Sequence, residues 1–223
     1  MKRTITSIGL FIFTLTLAPG IDFTVTERAL NHAMSEVPNR FTYSERAGAL
    51  GIFLEKQIEY VIVESEEVYV AEVVSVEGSS RNRRDPREPV ALGDTSDFDI
   101  RRRIDAINPF NAALAATPLF EVGREVVRGV RTIKYTFYFE FRSDSENPQS
   151  ARGELFLDES NSLPVLLFGE IVDLSRKQYL VEWHLFFDGN AAETCRLAEI
   201  EFENQGKYSF FKYRFITVES FEY

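Results

Sequence analysis

The sequence predicts a mainly β fold of the α+β type, in which a curled antiparallel sheet carries two or three helices. Three observations favour this class. Short runs of β-branched and aromatic residues recur through the second half of the chain, separated by brief turns that contain Gly, Asn, Asp or Ser. Only two stretches have the helical spacing of apolar residues. The 223 residues, 44% of them hydrophobic and without an internal repeat, fit one domain with a sizeable core.

The first twenty residues have the order of a secretory signal peptide. Lys2 and Arg3 precede an apolar run, residues 8–18, that is too short to cross a bilayer as a helix. Small residues follow, so we expect cleavage after Gly20 and a single mature domain over 21–223. No Cys follows the apolar run, so the sequence predicts an exported periplasmic protein without a bacterial lipid anchor. The alternative is a buried N-terminal strand or helix.

The charge of the chain restricts its partners. The net charge is −10, and it becomes −12 without residues 1–20, which carry two basic residues and no acid. A field of this sign repels phosphate, so we expect no binding to nucleic acid, weak attraction to anionic membrane surfaces and no stable insertion into a membrane. The chain has one cysteine, Cys195, so no intramolecular disulfide forms and packing alone holds the fold.

The first elements are a helix and three strands. Thr24 and Glu27 have the spacing of a capping box, and apolar residues at helical spacing predict a helix over about 25–37, which Pro38 ends. Stretches rich in Ile, Val and Tyr then predict strands at 41–47, 50–64 and 68–77. Residues 78–97 are polar, contain Gly, Ser and Pro, and have no periodicity, so they are interpreted as a long loop.

A second helical region precedes a strand meander. Asp97 or Asp99 is expected to cap it, and Pro109 interrupts it, so the pattern predicts one kinked helix or two short ones, ended by Thr117 and Pro118. Alternation and turn residues then predict antiparallel hairpins. The predicted strands are 120–123, 124–128, 131–142, 152–158, 163–172, 178–187, 196–203 and 208–218.

Several late strands are apolar on both faces. In residues 180–187, Val181, Trp183 and Leu185 face one side, while Leu180 and Phe186 face the other. An antiparallel sheet with one solvated face is apolar on one side only. We therefore expect two covers: the helices on one face, and the far wall of a curled sheet or a bound apolar ligand on the other.

The sequence contains no recognisable catalytic or metal motif. His32 and His184 have no second ligand at metal-binding spacing, and Cys195 is interpreted as a buried, inert thiol. The acids Glu199, Glu201 and Glu203 share one strand face, which is typical of a solvated surface. We therefore expect no enzyme activity, no metal and no cofactor. The basic islands at 81–88 and 101–103 are either solvated segments or docking patches for an acidic partner or lipid headgroup.

Two segments of the meander, "FEVGREVVRGVRTIKYTFYFEF" (120–141) and "GELFLDESNSLP" (153–164), resemble the LolA/LolB-like outer-membrane lipoprotein carriers. In that superfamily a strand pair with a v-x-G-x-x-x-y-x-l pattern precedes an lwiD-x-x-t-x-lP hairpin. The matching residues are Gly129, Tyr135 and Phe137 in the first element, and Phe156, Leu157, Asp158, Leu163 and Pro164 in the second. Asp158 and Pro164 suit the start of a turn and the restart of a strand, so the hairpin is interpreted as structural.

The resemblance implies an unclosed β-barrel with helices against its concave face and an apolar cavity for acyl chains. Alternation along the strands then selects the candidate ligand-binding side chains, for each of which ordinary core packing is the alternative. The candidates are Tyr135, Phe137, Phe139, Trp183, Leu185, Phe211 and Phe215.

Three functional hypotheses follow from the sequence. The first is an exported carrier-like protein that binds a lipid, a lipoprotein acyl chain or another apolar ligand, without catalysis. The second is an interaction or structural protein of the same fold with a filled core, which binds a protein partner through the 78–97 loop. The third is a small outer-membrane β-barrel, because aromatic residues alternate back from Tyr223 as in the last strand of such barrels.

Overall fold

The computed structural model describes residues 21–49, 52–66, 68–78, 90–116, 119–141, 148–174, 176–189, 195–209 and 211–223. The helices are α1 (Phe23–Ala33), α2 (Ile100–Asp105) and α3 (Asn108–Ala115). The strands are β1 (Arg40–Ala49), β2 (Ile52–Ser65), β3 (Val68–Gly78), β4 (Thr95–Asp97), β5 (Phe120–Val127), β6 (Val130–Phe141), β7 (Gln149–Asp158), β8 (Pro164–Ile171), β9 (Gln178–Gly189), β10 (Cys195–Tyr208) and β11 (Phe211–Glu222).

All eleven strands form one antiparallel sheet. Its order is β4-β3-β2-β1-β11-β10-β9-β8-β7-β6-β5, so two meanders join where the last strand pairs with the first. That junction runs from Arg40 opposite Glu222 to Ala49 opposite Tyr213. The sheet curls but does not close into a barrel. The predicted mainly β class, with a curled antiparallel sheet and three helices, is confirmed.

The helices and the sheet share one hydrophobic core. Leu30 of α1, Ile104 of α2 and Phe110 of α3 are fully buried in the same cluster as Phe137 of β6 and Leu185 of β9. Side chains that alternate along β6 to β11 supply the sheet side of this core, as their period of two requires. All three helices therefore cover one face of the sheet.

Charged side chains cover the apolar residues of the opposite face. Phe156 and Leu166 point away from the helices, are directly opposed across β7 and β8, and are nevertheless buried. The ammonium of Lys134 lies 5.4 Å from the centre of the Phe156 ring, and the Arg128 guanidinium lies 3.4 Å above the ring of Phe186. Long cationic side chains shield apolar surface with their methylene stems. This face is thus covered by a layer of basic side chains. The sequence had predicted that the far wall of a curled sheet or a bound apolar ligand would cover it.

Helix α1 begins and ends earlier than its sequence pattern predicts. Asp22 is the N-cap, because its carboxylate accepts the backbone N–H of Thr24 at 2.9 Å, so the predicted capping box of Thr24 and Glu27 is wrong. At the other end, the Ser35 N–H and hydroxyl both donate to the His32 carbonyl at 2.9 Å. These bonds turn the chain out of the helix before Pro38.

Other element boundaries also differ from the prediction. The two strands expected over 120–128 are one strand, β5, with a bulge between Glu121 and Gly123. Tyr208 ends β10, because Ser209 adopts a left-handed φ of 59° and turns the chain into β11. The predicted loop at 78–97 contains β4, which pairs with β3, while residues 79–89 lie outside the described part of the chain. Asp99 caps α2, and α2 and α3 are the two short helices that the Pro109 pattern allowed.

Two glycines on the helix side of the sheet leave room for the Pro109 ring of α3 and for the Phe137 ring of β6. Gly153 and Gly169 are directly opposed on β7 and β8. A methyl group on residue 169 would lie 2.3 Å from Cγ of Pro109, and one on residue 153 would lie 2.1 Å from Cζ of Phe137. A side chain at either position would therefore push α3 or the Phe137 ring away from the sheet.

We predict that Gly169→Ala lowers the free energy of unfolding by about 1–3 kcal/mol, because the rigid Pro109 ring leaves no space for a methyl group. Denaturant unfolding measures this loss. Gly123→Ala is the matched control, since no atom lies within 4 Å of the added methyl group and the φ of Gly123 is not left-handed. An equal loss of unfolding free energy in both variants would show that strand propensity, and not the packing of α3, causes the destabilisation.

Candidate functional site

An apolar cavity of about 360 Å³ lies between α1, α3 and β7. Its volume is within the range of about 300–1,000 Å³ that ligand pockets occupy, at the small end. The described lining residues are Phe23, Thr26, Glu27, Leu30, Ala113, Leu114, Ala116, Leu119 and Leu155. Seven of them are apolar, so the cavity favours a ligand without many polar groups.

The β7–β8 turn holds the N-terminal half of α1 over this cavity. The Asp22 N–H donates to the Ser162 hydroxyl at 3.0 Å, and the Thr26 hydroxyl donates to the Ser162 carbonyl at 2.8 Å. Ser162 has a left-handed φ of 63°, which the Asn161 side chain supports by accepting the Leu163 N–H. The turn therefore fixes α1 through two hydrogen bonds to a single residue.

The C-terminal half of α1 is fixed by the start of β10. The Cys195 thiol is fully buried and donates to the Ala29 carbonyl at 3.2 Å, while Nδ1 of His32 lies 3.2 Å from the Cys195 carbonyl. Burial raises the pKa of the Cys195 thiol to about 12, so the thiol stays protonated at neutral pH. Only a thiolate is a strong nucleophile, so Cys195 has a structural role here.

A second cleft, of about 500 Å³, lies beneath α2. Arg103 donates from one guanidinium nitrogen to both carboxylate oxygens of Glu219 at 2.7 Å, and its guanidinium lies 4.5 Å above the ring of Phe41. This residue ties α2 to β11 and β1. The described lining residues are Arg102, Arg103, Ala106, Ile107, Trp183, Ile200, Phe202, Thr217 and Glu219. The cleft is therefore apolar at its floor and charged at its rim.

The structure separates the seven predicted ligand-binding side chains. Tyr135, Phe137, Trp183 and Leu185 are buried in the core that α1, α2 and α3 share, and Phe139 is partly buried beside Phe137 with its ring centre 6.0 Å away.

Two of the four buried side chains border an opening. Tyr135 meets the ring of Phe23 edge-on at 5.3 Å, beside the first cavity, and Trp183 forms part of the floor of the second cleft. The ring centre of Phe215 lies 6.4 Å from that of Phe202, and Phe215 lines a third opening, an apolar groove of about 430 Å³ between β1, β2 and β11. Phe211 lies apart from the first two openings, exposed at the tip of the β10–β11 hairpin.

The sequence reasoning missed the residues that line the first cavity. None of the seven predicted side chains is among its described lining residues. Leu30, Ala113 and Leu114 belong to the apolar stripes that predicted the helices, so a signal was present. The stripe shows which side of each helix faces inward, but it does not show where two helices leave a gap.

Two carboxylates of β10 with shifted pKa values, Glu201 and Glu203, lie on the face of the sheet opposite the helices. Burial raises the pKa of Glu201, and the neighbouring carboxylate of Glu199 raises it further. Hydrogen bonds from Arg214 lower the pKa of Glu203. His184 lies directly opposite Glu201 on β9 and contacts Glu182 at 3.4 Å. The predicted shared face of these acids is confirmed, and the cavity lies on the other side of the sheet.

Within the described ranges, no group of three or more His, Cys, Asp or Glu side chains is arranged to hold a metal ion. None of the helices described has both the length and the hydropathy of a membrane span. The basic island at 81–88 lies outside the described residues. In the island at 101–103, Arg103 is the tether to Glu219, and Arg101 lies 3.9 Å from Asp105 of the same helix.

We predict opposite stability effects at two neighbouring positions of β10. The raised pKa of Glu201 means that its ionisation opposes folding; this penalty is absent below the ordinary carboxyl pKa of 4.5 and complete above the raised value. Glu201→Gln should therefore raise the free energy of unfolding at neutral pH, by about 0.5 kcal/mol for a half-exposed group. The gain should disappear as the pH falls below 4.5.

Glu203→Gln is the matched comparison and should have the reverse sign. The lowered pKa of Glu203 stabilises the fold above 4.5, and this contribution is lost as the pH falls through the lowered value. The variant should lose about 0.5–1 kcal/mol at neutral pH, because the ion pair with Arg214 is partly exposed. Thermal unfolding across pH checks both variants, and a shift of the same sign in both would contradict the assignment.

No protein-family model matches the chain, and no curated protein matches it. Solved structures with a similar fold include a LolA superfamily protein from Nitrosomonas europaea, 10% identical with a TM-score of 0.33, covering 90% of this chain and 93% of that one. Another is a DUF1329 family protein from Desulfovibrio piger, 10% identical with a TM-score of 0.37, covering 89% and 90%. A third is lipovitellin, 10% identical with a TM-score of 0.35, of which the match covers 25% while covering 84% of this chain.

The superfamily that the sequence resembles is thus also found among the similar structures. At identities of about 10% and TM-scores below 0.5, the likeness is one of fold, that is, of the arrangement of strands and helices.

Proposed function

We propose that this chain is an exported, non-catalytic binding protein that holds an apolar ligand, such as the acyl chain of a lipid or lipoprotein, in the cavity between α1, α3 and β7. The observation that carries the proposal is the lining of that cavity. Leu30, Leu114 and Leu155 approach it from three different elements, so the opening lies where helices and sheet fail to fill the space between them. Removing such a surface from water by binding an apolar ligand is favourable.

The polar groups at the cavity support an acyl chain over a polar ligand. The Thr26 hydroxyl is buried and already donates to the Ser162 carbonyl, so it has no proton left for a ligand. Glu27 is exposed and lines the cavity only at its solvent side. Selection would therefore depend on shape and on the apolar surface of the ligand, and the small volume favours one chain or a small apolar molecule.

The chemistry of the described side chains is consistent with binding without catalysis. The Cys195 thiol is buried and protonated at neutral pH, and His32 at the end of α1 is held against the Cys195 carbonyl and Glu36. A general base needs a nucleophile or a substrate proton within hydrogen-bond reach. Neither of these two groups lines the cavity.

Export is the proposed route of the protein to the periplasm. Residues 1–20 have the order of a signal peptide, and a cut after Gly20 would leave the Asp22 cap of α1 and its bond to Ser162 intact. Intact-mass measurement of the protein, purified from the periplasm of an expressing bacterium, tests this cleavage site. The measured mass should match a chain that begins at Ile21. Protein that stays in the cytoplasm and still carries residues 1–20 would overturn the proposal.

We predict that Ala113→Phe weakens the binding of a fluorescent fatty-acid analogue by at least about tenfold, because the added ring occupies the cavity. The same variant should yield less bound lipid when natively purified protein is extracted for mass spectrometry. Ala116→Phe reaches the same cavity from the end of α3 and should have the same effect.

Ala115→Phe is the matched control, with the same substitution at an exposed position of the same helix. It should leave binding unchanged, and circular dichroism should show that all three variants are folded. If the original protein binds no fatty acid and contains no lipid, the cavity is not a ligand site. The protein is then better explained as an interaction protein with a filled core.

A further inference from the structure

One end of the sheet gathers hairpin tips that contain both apolar and basic residues. The strand register places Ile52, Ala49, Tyr213, Gly206 and Gln178 in a single row across β2, β1, β11, β10 and β9. The β1–β2 hairpin, the β10–β11 hairpin and the start of β9 therefore end at the same edge of the molecule. We call this edge the basic end, defined by Ile52, Tyr179, Phe211, Lys177, Lys207 and Lys212.

The apolar side chains of the basic end are open to water. Ile52 is 70% exposed, Tyr179 is 50% exposed and Phe211 is 37% exposed. Each lies at a hairpin tip or strand start, and Ile52 also lines an apolar groove of about 430 Å³ between β2, β1 and β11. Large apolar side chains grouped on a surface mark a site of contact with a partner or a membrane.

The lysines of the basic end are close together. Lys207 and Lys212 are directly opposed across β10 and β11, and the Lys207 N–H donates to the Lys177 carbonyl at 2.6 Å. Like charges opposite each other in a sheet are destabilising. Within the part of the chain that the structure describes, no carboxylate forms an ion pair with any of these three lysines. An anionic surface would relieve their repulsion.

The charge of β10 changes along its length. Glu199, Glu201 and Glu203 share the face of the strand that points away from the helices, while Lys207 lies on that face beyond them. Acidic and basic groups are therefore separated along one strand. At physiological ionic strength charges more than about 8 Å apart are largely screened, so a docking surface responds to the local lysines and not to the net charge. The acidity of the whole chain, which argued against anionic membranes, therefore does not by itself keep these lysines from an anionic surface.

We propose that the basic end docks reversibly onto an anionic lipid bilayer. Lys177, Lys207 and Lys212 would lie at the phosphate headgroups, and Ile52 and Phe211 would enter the boundary between headgroups and acyl chains. A bilayer presents anionic headgroups next to an apolar interior, so one surface can contact both the lysines and the exposed apolar side chains. Aromatic side chains such as Tyr179 favour the same interface. The proposal is independent of the ligand cavity.

Sedimentation with lipid vesicles tests the proposal. We expect the full protein to bind vesicles of phosphatidylcholine and phosphatidylglycerol at low salt, and to bind pure phosphatidylcholine weakly. The triple variant K177Q/K207Q/K212Q should lower the affinity for anionic vesicles by about 100-fold, because each basic residue near an anionic surface contributes about fivefold. Ile52→Ser should lower it by about tenfold without any change of charge.

The matched control is R28Q/R101Q/R131Q, which removes three exposed cations from other parts of the surface and changes the net charge equally. It should keep most of the binding. Equal losses in the two triple variants, or no binding of the original protein to anionic vesicles, would overturn the proposal. Lysine-dependent binding to poly-glutamate without binding to vesicles would also overturn it, in favour of an acidic protein partner.

The cavity variant Ala113→Phe separates this proposal from the proposed function. This variant should no longer bind the fatty-acid analogue but should bind vesicles fully, because Ala113 lies on α3 and not at the basic end. Loss of both activities in this folded variant would show that the vesicles are bound through the cavity, and the basic end would then have no separate role.

Discussion

The glycine pair on β7 and β8 sets how closely the helices approach the sheet. Because Gly153 and Gly169 have no side chains, the Pro109 ring of α3 and the Phe137 ring rest almost on the backbone. The same approach brings Ala113 next to Leu155 at the wall of the cavity. If α3 were displaced outward, its core contacts would be lost and the cavity would open to solvent. Helix packing and ligand space therefore depend on one local feature of the sheet.

The other wall of the cavity depends on hydrogen bonds. Ser162 holds the start of α1 through Asp22 and Thr26, and Cys195 holds its end through Ala29. A helix of eleven residues is marginal on its own, so these contacts and the core fix its position. The hairpin sequence that resembles the lipoprotein carriers thus positions α1 through Ser162.

The two faces of the sheet have different physical roles. The helix side contains the core, the cavity between α1, α3 and β7 and the cleft beneath α2. The opposite side carries Phe156 and Phe186 beneath Lys134 and Arg128, with carboxylates along β10. The basic end lies at the ends of the strands, beyond both the helices on one face and the basic side chains on the other. The proposed ligand site and the proposed membrane contact are therefore separate. A substitution that destroys one of them can leave the other intact.

The sequence by itself determined the class of fold, because alternation along strands and helical spacing directly report which side chains turn inward. It also determined the shared face of Glu199, Glu201 and Glu203, and the interruption of the second helical region at Pro109, while the structure decided that two short helices form there. It could not show that Tyr208 ends a strand, since the turn at Ser209 lacks Gly or Asn. Only the tertiary structure decided that Phe137 and Leu185 are enclosed within the core, while Leu30, Ala113 and Leu155, buried in the same core, also border a cavity. Both sets are inward-facing and apolar, and what separates them is the distance between packed elements, which no local pattern encodes.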